Sequence, residues 1–249
     1  MSEPVRIIGS YLSPYVRKVL VCLEWKGIPY RIDPIVAFYG DERFSALSPL
    51  RRIPVLTDDR VTLSDSSVIC QYLEDRYPEP ALYPQDVADR ARARWLEEYA
   101  DTRMGDVLIW KLFHQVSIRR FVWGESTDKD AVEKTKREEI PPILDYLESQ
   151  LPEQGFLFGA LSIADVSLAV FFRNAAFVRY TVDASRWPRT AAFVDRVLGT
   201  AVFAKLAPFE ELLIRTPIPE HRAVLAAAGA PLTAETFGTA APRRGPMTV

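Results

Sequence analysis

The feature that most constrains this sequence is a change of character at three prolines, Pro78, Pro80 and Pro84. Before them, short apolar runs that read as strands alternate with segments of helical periodicity. After them, from about residue 87 to residue 213, the chain holds only long amphipathic stretches of helical period. Mixed strands and helices followed by helices alone indicate two domains of different class, joined by a stiff connector.

The first domain, residues 1–84, predicts the element order β-α-β-α-β-β-α. Val5–Ile8 reads as a strand, and Ser13-Pro14 begins a helix that Gly27 ends. The other predicted elements are a strand near 30–33, a short helix around 41–47, strands over 54–57 and 61–63, and a helix over 66–77. This is the complete order of a thioredoxin-like α/β domain.

The second domain, residues 85–216, predicts an all-α helical bundle, with amphipathic stretches over 87–123, 129–151 and 162–180 and shorter ones after Pro188 and Thr200. The last segment, residues 217–249, is rich in Ala, Pro, Gly and Thr. Such a composition buries little apolar surface, so we expect an extended, possibly disordered tail.

The composition excludes several classes of function. The 31 basic and 33 acidic residues give a net charge of -2 with no basic stripe, so no nucleic-acid partner is expected. No apolar run approaches about 18 residues and the N-terminus lacks a signal sequence, so we expect a cytoplasmic protein without membrane contact. Cys22 and Cys70 sit among aliphatic residues and read as buried hydrophobes. His114 and His221 lie far apart, so no metal site is expected.

Ser13 is the first candidate for chemistry. Locally, a Ser before a Pro reads as an ordinary helix N-cap. In a thioredoxin-like domain the same position carries the first cysteine of a redox pair, and its absence here excludes dithiol exchange through the protein itself. A hydroxyl at a helix N-terminus can instead donate a hydrogen bond to a bound thiolate. Each unit by which it lowers the thiol pKa corresponds to about 1.4 kcal/mol of stabilisation of the thiolate relative to the thiol.

Two further motifs fit a peptide ligand. Ile53-Pro54 precedes a strand, where a thioredoxin-like domain carries a cis-proline that leaves the backbone of the preceding residue free to pair with an extended peptide. Asp65-Ser66 opens the helix after the hairpin. It reads equally as a helix start or as a cradle in which Ser66 and the helix amides bind a carboxylate and Asp65 binds an ammonium group. Those two groups are the free amino-acid end of a γ-glutamyl group.

Together these residues make the chain resemble the cytosolic glutathione transferases over residues 4–216. The string from Ser13 to Val19 is similar to the serine-type members, which include the plant tau class and related bacterial proteins. Arg52-Ile53-Pro54-Val55-Leu56 is similar to the family's basic-x-Pro-Val-Leu segment, and Gly159 to Asp165 is similar to its N-capping box. Two departures concern the glycyl end of glutathione. Arg51 replaces the family's glycine, and Tyr39 stands where tau-like members have a lysine.

The resemblance implies roles for these residues, with glutathione as co-substrate and no metal. Ser13 would stabilise the thiolate, with Tyr11 in reserve, and the glutathione-binding residues would be Arg52, Ile53, Pro54, Asp65 and Ser66. A second-substrate pocket of Tyr11, Trp110 and Phe113 would hold a hydrophobic electrophile.

The implied activity is glutathione conjugation in a homodimer, a reaction of detoxification. Glutathione-dependent peroxide or disulfide reduction, and a non-catalytic binding protein of the same fold, are the alternatives. Pro14 in place of a second serine argues against maleylacetoacetate isomerisation.

Overall fold

A computed structural model describes residues 4–244 of the chain. Within that range the chain divides into two compact units. The first unit combines the residues up to Pro80 with those from Lys205 onward, and the second is Ala81–Ala204. The helical domain predicted over 85–216 therefore extends further than the helical unit of the structure, because the residues after Ala204 belong to the unit that contains the sheet.

The first unit has the predicted element order. Its elements before Pro80 are β1 (Val5–Ile8), α1 (Pro14–Lys26), β2 (Tyr30–Asp33), a 3-10 turn (Ala37–Tyr39), α2 (Glu42–Leu47), β3 (Val55–Thr57), β4 (Thr62–Leu63) and α3 (Ser66–Arg76). The strands form one sheet in the order β2-β1-β3-β4, in which β1 runs parallel to β2 and antiparallel to β3. The thioredoxin-like architecture is confirmed.

The ends of α1 follow from local sequence chemistry. Ser13 caps the N-terminus with extended backbone, Pro14 occupies the first turn, and Gly27 ends the helix at φ 65°. Such a left-handed C-cap favours glycine, and the missing N–H of proline costs nothing in a first turn. These signals place Ser13 at the start of a helix that is buried through Val19 to Leu23.

The regular elements of the second unit, residues 81–204, are all helices. Its elements are α4 (Val87–Tyr99), a π-helical stretch (Ala100–Ile118), α5 (Arg119–Phe121), α6 (Lys129–Lys134), a π-helical turn (Thr135–Glu139), α7 (Ile140–Gln150), α8 (Ile163–Phe177), α9 (Pro188–Leu198) and α10 (Ala201–Ala204). The capping box predicted at α8 is present. Asp165, fully buried, accepts hydrogen bonds from Ser162 N at 2.8 Å and Leu157 N at 2.9 Å.

The segment after Thr216 differs from the predicted extended tail. The first unit receives α11 (Ala207–Leu213) before it, and the segment itself contains a 3-10 turn (Ile218–Glu220) and α12 (His221–Ala227). Beyond α12 it runs along the edge strand β2. There Ile32 donates its N–H to Pro231 O at 2.8 Å and accepts from Thr233 N at 3.0 Å. Residues 245–249 of the predicted tail lie outside the described residues.

Composition did not reveal this packing because the groups that hold the segment lie elsewhere in the sequence. The Asp33 carboxylate at the end of β2 is buried, and it receives Arg222 Nη1 at 3.1 Å and Phe237 N at 2.7 Å. Phe237 also packs on the apolar cluster around Ile8 and Phe44. Unpaired backbone groups on an edge strand and a buried carboxylate without partners both cost free energy. The segment supplies hydrogen-bond partners to the β2 backbone and to the Asp33 carboxylate.

Candidate functional site

Ser13 lies at the N-cap of α1, as predicted. Its Oγ accepts a long hydrogen bond of 3.4 Å from Val16 N. Among residues 4–244, no acceptor for the hydroxyl proton lies within hydrogen-bond distance. The residue is half-buried. The hydroxyl can therefore donate to an anion at a helix terminus that itself favours negative charge.

Gly9 brings the first turn of α1 close to Ile53. A Cβ on Gly9 would lie 2.5 Å from Val16 Cγ2 and 3.2 Å from Ile53 Cβ, so only glycine allows this approach. Its φ of 152° also favours glycine. Gly9 was not among the predicted site residues, although a glycine directly after a strand is a recognisable signal of close backbone approach.

The Ile53–Pro54 peptide bond is cis, as the fold predicts. Within the described part of the chain, the backbone N–H and C=O of Ile53 have no hydrogen-bond partner. The preceding loop is fixed by Ser48, which is fully buried. Ser48 Oγ accepts from Arg52 N and donates to Arg52 O, both at 2.9 Å, and lies 2.7 Å from Ser64 Oγ. Ser48, also missed from sequence, holds the loop beside the residue that precedes Asp65.

Asp65 is the N-cap of α3, and its Oδ1 accepts from Ser67 N at 2.9 Å and Val68 N at 3.1 Å. Its Oδ2 has no partner among the described residues, and neither has the hydroxyl of buried Ser66. The first turn of α3 is tied to α1 by buried Lys18, whose Nζ donates to Ser67 Oγ at 3.0 Å. The motifs at Ser13, Ile53 and Asp65 are thus connected within one unit.

The two neighbouring arginines, Arg51 and Arg52, differ in burial and in hydrogen bonding. Arg51 is buried, and its guanidinium donates to Ser45 Oγ and, at 2.9 Å, to Gly40 O. Its φ of 52° is left-handed, at the position where the family resemblance places a glycine. Arg52 is exposed, and its guanidinium is unpaired within residues 4–244. Arg52, and not Arg51, is available to a carboxylate.

We expect Arg51→Gln to lower the free energy of unfolding by about 1–3 kcal/mol, because Ser45 Oγ and the carbonyls of Gly40 and Ala37 lose a buried donor. Arg51→Gly should cost about 1 kcal/mol less than Arg51→Gln, because it relieves the left-handed backbone. The matched change Arg52→Gln should stay within about 0.5 kcal/mol of the wild type. Urea denaturation of the three variants measures this, and equal losses at both positions would contradict the division of roles.

Tyr11, the reserve candidate for the thiol contact, is buried at 1% exposure. Its ring centroid lies 5.1 Å from that of Phe209 in α11. Burial raises the pKa of the Tyr11 hydroxyl, and this effect outweighs the lowering of the pKa by the neighbouring Tyr30 hydroxyl. Tyr11 therefore stays protonated at neutral pH and is more enclosed than Ser13.

The other predicted residues lie as follows. In the helical unit, Trp110 is half-buried, 6.0 Å from the His114 ring, and Phe113 is buried at 6% exposure. The second-substrate pocket stays a prediction. Cys22 and Cys70 are fully buried, as predicted, and form no disulfide, with their sulfurs 3.6 Å apart.

Within residues 4–244, no group of three or more His, Cys, Asp or Glu side chains is arranged to hold a metal ion. No helix in this range is long and apolar enough to span a membrane.

Two family models match the sequence. The N-terminal domain of glutathione S-transferases matches residues 7–81, and their C-terminal domain matches residues 45–196. This chain belongs to the glutathione S-transferase family. The match contains every predicted glutathione-binding residue, and the segment from Lys205 onward lies beyond it.

Similar proteins span more than four fifths of the chain. An uncharacterized GST-like protein of Escherichia coli K12, YibF, is 26% identical over 209 residues, which cover 82% of this chain and 98% of that protein. Glutathione S-transferase U7 of Arabidopsis thaliana is 26% identical over 84% of this chain and 89% of its own length. A maleylacetoacetate isomerase of Pseudomonas aeruginosa is 28% identical, with shares of 82% and 96%.

Solved structures agree with the fold. A glutathione S-transferase from Rhodospirillum rubrum F11 superposes with a TM-score of 0.74 at 26% identity, over 81% of this chain and 91% of that one. FzlA from C. crescentus gives a TM-score of 0.75 at 23% identity, over 83% and 92% of the two chains. The second likeness shows the architecture alone.

Proposed function

We propose that this protein is a glutathione transferase that joins the glutathione thiolate to the electrophilic carbon of a hydrophobic substrate. One observation carries the proposal. The polar groups predicted to bind glutathione have no protein partner in the described range: Ser13 Oγ–H, the Ile53 backbone, the Arg52 guanidinium, Asp65 Oδ2 and Ser66 Oγ. Their neighbours Ser48, Arg51 and Ser67 are all hydrogen-bonded within the protein.

Each group has a distinct task in this proposal. The Ile53 backbone pairs with the cysteinyl residue of glutathione as an added strand would. Ser66 and the α3 amides bind the γ-glutamyl carboxylate, Asp65 binds the ammonium group, and Arg52 binds the glycyl carboxylate. Ser13 then donates a hydrogen bond to the thiolate and so lowers the pKa of the thiol, whose proton is released to water. The thiolate sulfur forms a bond to the electrophilic carbon as the bond from that carbon to the leaving group breaks, and the leaving group departs with the electron pair.

Retention on immobilised glutathione, followed by conjugation of a generic aromatic halide, tests this function. We expect both retention and turnover. Reduction of an organic hydroperoxide should be assayed beside it, because the same thiolate serves glutathione-dependent peroxide or disulfide reduction. Retention without either reaction would favour a non-catalytic binding protein, and failure of retention would reject the glutathione site.

Asp65→Asn should raise the KM for glutathione about tenfold and leave kcat nearly unchanged, because the amide keeps the capping acceptor but loses the charge that pairs with an ammonium. The matched control is Asp86→Asn. Asp86 caps α4 with the same geometry, accepting from Ala88 N and Asp89 N at 2.9 Å. Steady-state kinetics of both variants decide the point, and an unchanged KM in Asp65→Asn would remove Asp65 from the site.

We also propose that the protein acts as a cytoplasmic homodimer in detoxification, as its family resemblance implies. Sedimentation equilibrium should return twice the chain mass of 28.2 kDa. A mass that stays at one chain across a tenfold dilution series would remove the dimer from the proposal.

A further inference from the structure

The loop between β1 and α1 is held by α11 through two contacts on a single residue, Tyr11. The Tyr11 ring packs on Phe209 with centroids 5.1 Å apart. The Tyr11 carbonyl accepts a hydrogen bond of 3.2 Å from Arg17 Nη2. Arg17 Nε is in turn paired with the Glu210 carboxylate of α11. Side chain and backbone of Tyr11 are thus both anchored, two residues before Ser13.

The Arg17–Glu210 ion pair is buried on both sides. The Arg17 side chain is 0% exposed and the Glu210 side chain is 3% exposed. Taking two charges out of water costs several kcal/mol per ion, and well-packed apolar residues would stabilise such a position equally well. What an apolar pair would not supply is a donor to the Tyr11 carbonyl and a fixed positive charge near the start of α1.

Arg17 stands four residues after Ser13 in α1, which is one helical turn or about 6 Å along the axis. The Arg17 guanidinium is held at the Tyr11 carbonyl, two residues before Ser13. A cation there would stabilise an anion bound at Ser13, and the carboxylate of Glu210 would offset part of the effect. Glu210 and Phe209 lie beyond residue 196, where the family match ends. Phe209 and Glu210 belong to the unit that contains the sheet, although the sequence analysis placed them in the helical domain, 85–216.

We propose that Arg17 and Glu210 are positioning residues for Ser13: they fix the loop Gly9–Ser13 against α11 and set the balance of charge beneath the bound thiolate. This inference rests on the proposed function of Ser13 as the thiolate donor. Neither side chain touches the substrate in this account, and both act through the loop and its electrostatic field.

Other charged and titratable groups near the loop are left unchanged in the test. From α1, Lys18 is bound to Ser67, and Glu24 acts on the Tyr11 hydroxyl. From β2, Tyr30 lies beside that hydroxyl, and burial raises its pKa. Because these groups are common to all variants, differences between variants report on Arg17 and Glu210.

The decisive experiment titrates the thiol of bound glutathione by ultraviolet absorbance in Arg17→Gln, in Glu210→Gln and in the double variant. Arg17→Gln removes the cation and leaves the anion, so the thiol pKa should rise by about half a unit or more. Glu210→Gln should lower it by a similar amount, and the double variant should return close to the wild type. A purely structural role would move both single variants in the same direction, and that result would overturn the proposal.

Arg222→Gln is the matched control, because it breaks another ion pair of the same unit, with the buried carboxylate of Asp33 at 3.1 Å. It should lower stability without changing the thiol pKa. Should Arg17→Gln fail to fold, Arg17→Lys keeps the charge and loses the forked contact. That variant should show an unchanged thiol pKa with faster hydrogen exchange in residues 9–13, and exchange at the wild-type rate would overturn the positioning role.

Hydrogen exchange of the loop in the absence of glutathione separates this inference from the proposed function. A wild-type protein that binds no glutathione would reject the function, while faster loop exchange in Arg17→Gln than in Arg222→Gln would still support the anchor. A wild type that binds and ionises glutathione, with equal loop exchange in both variants, would reject the anchor alone.

Discussion

Replacing Ser13 by alanine is expected to lower the rate of glutathione conjugation at neutral pH by about 10- to 100-fold. A hydrogen bond to a charged group contributes about 1.5–3 kcal/mol, and each 1.4 kcal/mol corresponds to a factor of ten. The pKa of the bound thiol should rise by about one to two pH units, towards its free value near 8.5. The loss should therefore shrink as the pH is raised, and the pH dependence of kcat measures it.

The control for Ser13→Ala must separate the thiolate contact from the helix cap, since Ser13 also caps α1. Asp128→Ala removes the cap of α6, where the carboxylate accepts from Ala131 N at 3.0 Å. Both variants lose capping energy of about 1 kcal/mol, but only Ser13→Ala should change the thiol pKa. An unchanged pH profile in Ser13→Ala would reject Ser13 as the ionising group. Tyr11→Phe would then test the reserve candidate.

The second large effect is expected at Gly9. Gly9→Ala should lower the free energy of unfolding by about 2–4 kcal/mol, because the new methyl group would lie 2.5 Å from Val16 Cγ2 and the backbone φ is 152°. Relief of the clash displaces Val16 or Ile53, so the KM for glutathione should rise as well. Thermal or urea unfolding gives the first quantity and steady-state kinetics the second.

Gly27→Ala separates the steric clash from the backbone strain. Gly27 also has a positive φ, 65°, but a Cβ there would meet nothing within 4 Å. Its replacement should cost only about 1 kcal/mol and leave the kinetics unchanged. Equal destabilisation by the two alanines would show that backbone strain alone explains Gly9, and the close approach of α1 and Ile53 would lose its support.

The fold was predictable where local chemistry decides it. Ser13-Pro14 and Gly27 bracket α1 because an N-cap, a first-turn proline and a left-handed C-cap each act within one turn of the helix. The strand predicted over 61–63 is longer than the observed one, because β4 comprises only Thr62–Leu63. A strand that short is defined by its partner β3 more than by its own sequence.

The rest of the site depends on contacts that sequence separation hides. Arg17 meets Glu210 across 193 positions, and no local pattern announces such a pair. The sequence does not show which of the two adjacent arginines is buried. Arg51 has a left-handed backbone and its guanidinium donates to Gly40 and Ser45, whereas Arg52 is exposed. The tail was misjudged for the same reason, since its partners are Asp33 and the edge of β2.

The pairing of Asp33 with Arg222 also sets the order of events during synthesis. The two residues are 189 positions apart, so the ribosome makes the whole helical unit after Asp33 and before its partner. Throughout that interval the nascent thioredoxin-like unit has an uncapped sheet edge and a carboxylate without its arginine. The edge of β2 is covered only after residues 231–233 have been made, so a chain stalled earlier leaves that edge open to pairing with another strand.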